Sequence, residues 1–222
     1  MTRAALVALL LAGCARAEPP PKPILLLVTG LPIVSGERFA VESIGSPALT
    51  RLEQDFRVRP IGISDRASLS GGELLLMAQP RAQPAEALVD LDRWVRAGGR
   101  VTILADPQLD WPSERPLGDA LRPPYDYADT GLLAHWGLAL DAPAAPGLVA
   151  RRLGITDVMA SSPGTLRKTG AVGCDILDAG FVARCRIGRG VALIVADADF
   201  LNGEVANLEA LAATLEALRQ SR

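Results

Sequence analysis

The side chains with chemical capacity in this 222-residue chain are few, and most of them are carboxylates. Asp106 follows the apolar run VTILA, and Asp197, with Asp199 two residues on, follows VALIVA. Such runs read as strands buried on both faces, and open parallel sheets place ligands beyond the carboxyl ends of their strands. Four loops are expected to meet at that edge: residues 29–37, 79–84, 106–111 and 197–202. They would bring Glu37, Gln79, Asp106, Asp197, Asp199 and Asn202 together as a ligand- or partner-binding edge. Gathered carboxylates offer oxygen ligands for a divalent cation, or an acid whose pKa crowding has raised. Strand-terminal aspartates also cap backbone amides and shape turns. That third use is the expectation here, with no catalytic residue and no metal site assigned.

Other chemistry finds little support. Gly71-Gly72, Gly98-Gly99 and Gly188-Arg189-Gly190 are too short and wrongly placed to cradle phosphate, and no Walker loop or dinucleotide fingerprint is present, so no cofactor is expected. There is no Gly-x-Ser-x-Gly or Gly-x-Cys-x-Gly elbow, and Ser161-Ser162-Pro163-Gly164 reads as a turn. The single histidine, His135, sits in the apolar stretch GLLAHWGLAL, which suits a packing or surface role. A net charge of -2 without a basic tract gives no case for nucleic acid, and 4% aromatics leave little for stacking bases or sugars.

The first residues read as an address. In MTRAALVALLLAGC, Arg3 supplies a positive start and residues 4–12 a short apolar core, too short for a permanent bilayer span. Leu11-Ala12-Gly13-Cys14 matches the bacterial lipobox, making Cys14 the acylated first residue of a mature lipoprotein. Ordinary secretion with cleavage after Ala15-Arg16-Ala17 is the competing reading, and both export the protein. Ala15, rather than Asp, does not enforce inner-membrane retention, which favours the outer membrane. Residues 15–23 form a proline-rich tether, EPPPKP being stiff and extended, and residues 24–222 one domain.

With Cys14 lipidated, Cys174 and Cys185 remain to pair in an oxidising periplasm. They flank a hairpin, VGCDILD and FVARCRI. If Ala179-Gly180 is a two-residue turn, positions summing to 359 face each other. The cysteines then form a hydrogen-bonded pair about 5.5 Å apart at Cα, which a disulfide can bridge. Two reduced, buried thiols are the alternative.

The elements that must position these groups follow from periodicity. Residues 71–107 read as strand, amphipathic helix with Leu88, Leu91 and Val95 inward, glycine stop at Gly98 and Gly99, and second strand. Such a βαβ unit is right-handed in nearly all cases. Residues 23–29 and 57–61 are further strands, with a helix between them starting at Ser46-Pro47. Residues 108–127, with four prolines, form an irregular excursion, and residues 130–138 a short helix. Residues 149–187 shorten to a period of two, an insertion of antiparallel hairpins appended to the sheet. A last strand, residues 191–196, and a helix, residues 204–219, close a largely parallel, doubly wound α/β sheet.

LLLMAQP, the helix ending LDRWVRAGGR, and VTILADP together resemble the core of GldG-type auxiliary domains of uncharacterised ABC transport systems, gliding-motility versions among them. GRGVALIVADADFL resembles the same family's last strand, and the likeness covers most of residues 23–218. The resemblance implies a three-layer, flavodoxin-like fold of the class I glutamine-amidotransferase type. Amidotransferases of that fold keep a nucleophilic cysteine on a strand-to-helix elbow, with a distal histidine and glutamate. Here the corresponding strand, residues 101–105, is followed by Asp106-Pro107, and no histidine lies near the carboxyl terminus. The family's domain usually belongs to a membrane-spanning polypeptide, and this chain has no such helix. The resemblance therefore implies fold and partner class, a permease or other envelope protein, without amidotransferase activity. The expected function is a non-catalytic, lipid-anchored periplasmic binding or assembly module beside an ABC-type system. A periplasmic hydrolase or metal-dependent enzyme using the strand-end carboxylates is the alternative.

Overall fold

The computed structural model describes residues 20–34, 45–170 and 173–221, so Cys14 and Glu37 lie outside the described residues. In chain order, β1 (Ile24–Thr29), α1 (Pro47–Asp55), β2 (Arg57–Pro60), β3 (Leu74–Ala78), α2 (Ala85–Arg96) and β4 (Arg100–Leu104) form where their periodicity predicts, β2 and β3 following one another without a helix between. The Ser46 side chain caps α1 by accepting from Leu49 N at 3.1 Å, with Pro47 in the first turn. Gly98, at φ 115°, ends α2 in a backbone conformation that costs other residues strain.

After β4 the chain runs without strand or helix to α3 (Leu132–His135). That helix is a single turn between Gly131 and Gly137, both at positive φ, and not the longer 130–138 segment that its apolar spacing suggests. Its apolar side is as expected, with Leu132, Leu133 and Trp136 buried. Then follow β5 (Leu138–Asp141), β6 (Leu148–Leu153), β7 (Thr156–Ser161), β8 (Thr165–Lys168), β9 (Cys174–Leu177), β10 (Val182–Ile187), β11 (Gly190–Val195) and α4 (Val205–Gln220).

One seven-stranded sheet runs β2-β1-β3-β4-β11-β10-β9, parallel from β2 to β11 and antiparallel beyond. The molecule is thus α/β with a mostly parallel sheet. Alternate residues feed two cores. Leu25, Leu27, Leu74, Leu76, Leu193 and Val195 pack with α1 and α4, together with Leu153, Val158 and Ala160 of the β6–β7 pair. Leu26, Val28, Leu75, Met77, Ile103 and Ile194 pack on the other side against Leu91, Val95, Leu133 and Trp136. β2 is an edge strand, where Pro60 removes no needed ladder donor.

The stretch 149–187, read as hairpins appended to the sheet, divides between two roles. β6–β7 and the β5–β8 pair are separate two-stranded sheets, so the small sheets already begin at Leu138, while β9–β10 extends the main sheet. The β9–β10 turn is also longer than the two-residue Ala179-Gly180 turn. Leu177 pairs with Val182, leaving four residues, and Asp178, Ala179 and Gly180 all take positive φ. The sum of 359 survives, Cys174 faces Cys185, and the two are joined as a disulfide. The hydrogen-bond phase does not survive. Arg186 N donates to Gly173 O at 2.8 Å, so the cysteines occupy a non-hydrogen-bonded position with Cα atoms 3.9 Å apart.

Two stability experiments follow. Thr102 is fully buried in β4 and its hydroxyl finds no partner among the described residues. Thr102→Val keeps the shape and removes the bare hydroxyl, and should raise the unfolding free energy by about 1 kcal/mol. An unchanged or lower urea midpoint would show that the hydroxyl is satisfied. Cys174→Ala with Cys185→Ala should cost about 2–3 kcal/mol, the loop-closure value for a separation of 11 residues.

Candidate functional site

The parallel strands β1, β3, β4 and β11 end at one edge, and three aspartates gather there. Asp106 follows β4; Asp197 and Asp199 follow β11, Asp199 opening a single 3-10 turn, Asp199–Asn202. One carboxylate oxygen from each lies within 4.8 Å of the others. Asp106 and Asp197 are fully buried, and Asp199 is 9% exposed.

Every one of their six oxygens accepts a backbone amide. Asp106 Oδ1 accepts from Gln108 N at 2.8 Å and Oδ2 from Ala198 N at 3.0 Å, joining the loops after β4 and β11. Asp197 Oδ1 accepts from Phe200 N at 3.1 Å and Oδ2 from Ser161 N at 2.9 Å, which fastens the end of β7 to the main sheet. Both oxygens of Asp199 reach Asp110 N, at 3.1 and 2.9 Å, and hold the start of the irregular excursion. The Asp199 and Asp106 carboxyls also face each other, closely enough that each shifts the titration of the other.

Gln79 completes the edge. It is buried at φ 43°, an unusual conformation for a residue with a Cβ, and its amide pairs with the Asp106 backbone in both directions. Oε1 accepts from Asp106 N at 2.9 Å, and Nε2 donates to Asp106 O at 3.0 Å and Pro124 O at 3.4 Å. The Gln79 carbonyl in turn accepts from Gly30 N, and a Cβ on Gly30 would stand 2.6 Å from that oxygen. Glycine is therefore required at position 30.

Among the residues expected at this edge, Gln79, Asp106, Asp197 and Asp199 meet. Asn202 does not join them, being exposed at the end of the 3-10 turn. The asparagine that matters is Asn207 in α4, buried, accepting from Met159 N at 3.1 Å and donating to Phe200 O at 3.3 Å. Its spacing of four from Leu211 marks it as inward-facing, a signal present in the sequence. His135 is remote from the aspartates. It is exposed and faces Asp92, whose Oδ1 lies 3.4 Å from its Nε2 and accepts from Trp136 Nε1 at 2.9 Å.

Burial is the main cause of the electrostatics. It raises the Asp106 carboxyl despite the amides that pull it down, and holds Asp197 well above the usual range with the Asp106 charge adding to it. Asp199 is pushed up to about 7 by burial, opposed by the Asp110 amide. The arrangement can store protons and neutralise charge internally. A cation would have to share oxygens that amides already occupy.

No family model and no curated protein sequence matches the chain. Among solved structures it is similar to the mmIFT52 N-terminal domain, with a TM-score of 0.55 at 15% identity over 89% of this chain and 98% of that one. The cytoplasmic protein STM1381 from Salmonella typhimurium LT2 gives 0.54 at 11% identity, covering 88% and 99%. The exo-β-1,4-mannosidase Op5Man5 from an Opitutaceae bacterium, strain TAV5, gives 0.52 at 14% identity over 88% of this chain, which spans only 36% of the mannosidase. Likenesses at these identities describe a shared fold.

The raised carboxyls fix the sign of the pH dependence. A group whose pKa is higher folded than unfolded stabilises fully below its unfolded pKa, and that contribution is lost as pH rises through the folded one. Stability should therefore fall from about pH 4, the unfolded aspartate value, through the Asp199 value of about 7. Asp199→Asn mimics the protonated side chain, its amide donating to Asp106 while its oxygen accepts from Asp110 N. At pH 8 this variant should be the more stable by roughly 2 kcal/mol, with a shallower decline between pH 4 and 8 in urea titrations. A parallel decline in both proteins would refute the assignment.

Proposed function

We propose that the chain is a non-catalytic, lipid-anchored binding or assembly module on the periplasmic side of a bacterial membrane, working with an ABC-type transport system. One observation carries the non-catalytic part: all six oxygens of the strand-end aspartates accept backbone amides. A general base needs a lone pair aimed at substrate, and a nucleophile needs a free approach. Asp106 stands where an amidotransferase relative keeps its cysteine, and it joins two loops instead.

The finer fold assignment belongs to the same reading. Numbered among themselves, the parallel strands run second, first, third, fourth, fifth, which is the flavodoxin-like order. That order agrees with the GldG-type, amidotransferase-like resemblance of the 73–107 and 188–202 segments. Contact surface comes from the excursion after β4, which carries Leu117, Leu121 and Tyr125 exposed at 87%, 53% and 66%. Exposed apolar groups of that size on one irregular segment suit a protein partner. Cys14 acylation supplies the anchor, and among the described residues no helix is long and apolar enough to cross a membrane.

The competing reading, a periplasmic hydrolase or metal-dependent enzyme, rests on the 4.8 Å clustering of Asp106, Asp197 and Asp199 and on the raised Asp199 carboxyl. It requires one of these acids to leave its amides during turnover.

The test is affinity capture of the tagged, full-length protein from its own membranes after mild detergent extraction. The proposal expects permease or ATPase subunits of an ABC-type system, at least tenfold depleted by Leu117→Asp with Leu121→Asp. Recovery of no such subunit would sink the partner assignment. Hydrolysis of any substrate that disappears in Asp199→Asn would establish the enzyme reading instead.

A further inference from the structure

The opposite end of the sheet also carries a distinctive surface. Where β1, β2 and β3 begin, a groove of about 740 Å³ is lined by Lys22, Arg57 and Arg219, with Glu53 and Glu73 as its acids. A second groove of about 550 Å³ shares Gly71 with the first and is bordered by Arg66, Arg93, Asp90 and Trp94. The topology gathers cations here. α2 and α4 cross back over the parallel sheet, so the basic residues of their last turns, Arg93, Arg96 and Arg219, arrive at the strand starts. The turn between β10 and β11 adds Arg189, whose N donates to Arg96 O at 3.1 Å and Nη2 to Ala97 O at 2.8 Å.

Two of these cations carry acid partners, Glu216 on Arg219 at 2.6 Å and Asp92 on Arg96 at 2.7 Å, while Asp55 is taken up by Arg51 at 2.7 Å. Arg57 is exposed, and the Arg93 side chain is 73% exposed beside Asp90. The basic character is local, because the whole chain has a net charge of -2.

The tether enters at this same end. Pro21, Lys22 and Pro23 line the larger groove, and Lys22 Nζ donates to Glu53 O at 2.6 Å. Cys14 lies six residues before Pro20, a reach of about 20 Å even when fully extended. An acyl group on Cys14 would hold this end, and no other, close to the bilayer.

We propose that the basic end of the sheet is a docking face for the anionic phospholipid surface to which the chain is anchored, standing the domain with its carboxyl-edge loops turned away from the bilayer. The inference rests on the lipid-anchor reading. Phosphodiester headgroups suit it because guanidinium groups bind phosphate oxygens in pairs, and a polybasic patch adds a second, salt-sensitive signal to an acyl chain.

Vesicle flotation of the full chain separates anchor from face. Wild type should float with pure phosphatidylcholine vesicles and Cys14→Ser should not; equal flotation would refute the anchor alone. With phosphatidylglycerol added to the vesicles, Cys14→Ser should bind at low salt and release at high salt. In that background Arg57→Glu, Arg93→Glu and Arg189→Glu combined should weaken binding about 100-fold or more. The three Arg→Lys replacements should retain binding within a few-fold, and an unchanged urea midpoint and circular dichroism spectrum of the Arg→Glu protein exclude misfolding as the cause. Binding that ignores phosphatidylglycerol, or survives the triple charge reversal, would overturn the docking face while leaving the anchor standing.

Discussion

Backbone amides buried where parallel strands end must be satisfied without water, and three aspartates meet that demand here. The loops after β4 and β11 diverge from the sheet and leave the amides of Gln108, Ala198 and Phe200 without ladder partners. Asp106 and Asp197 supply them. The same two groups connect what the ladder does not. Asp106 ties the loop after β4 to the loop after β11, and Asp197 reaches β7. Asp199 then ties down the excursion through Asp110 N. The arrangement costs electrostatic self-energy, since three carboxyls share one low-dielectric site. Protonation of Asp199, the direction in which burial pushes it, lowers that cost, as do the amides themselves. Removing this cluster would loosen the β6–β7 sheet, the excursion and the 3-10 turn after β11 together.

The sequence made most of the sheet legible because the informative signals were local. Strands β1, β3, β4 and β11 are dominated by apolar residues, α2 has an inward stripe and a glycine stop, and the cysteine register follows from counting outward from a turn. Elsewhere tertiary partners decide. The apolar spacing around Leu132 and Trp136 allows a longer helix, but positive φ at Gly131 and Gly137 closes it after one turn. The hairpin signal Ala179-Gly180 placed the turn correctly and misjudged its length, because Asp178 and Ala179 also adopt left-handed backbone. The period-two stretch could not say which strands pair with which. β8 finds β5 across an intervening hairpin, a choice set by packing of Leu166 into the far core.

At the site, residue type was legible and wiring was not. The spacing of Asp106, Asp197 and Asp199 after apolar runs placed them at one edge. Which amide each would meet depended on segments far along the chain, Ser161 and Asp110 among them. Asn202 sits in the loop after a strand end, whereas Asn207 does the bonding from inside a helix. A polar residue on an apolar helical face is the stronger signal, since burial without a partner would be costly.

The amide wiring also accounts for the identity of the acids without invoking catalysis. A carboxylate offers two acceptor oxygens, while an asparagine offers one oxygen and a donor. Asp106 bridges amides ninety residues apart, Gln108 and Ala198, and Asp197 bridges Ser161 and Phe200. Asparagine at either position would set its NH2 against a backbone N–H inside the core. Aspartate is thus demanded there by counting donors. Asp199 differs, because both its oxygens serve the single amide of Asp110 and its third contact is to another carboxyl. It alone could be replaced by asparagine with its bonds kept. The acid at 199 is the one part of the cluster that amide counting leaves unexplained, and it is where any chemistry at this edge would have to begin.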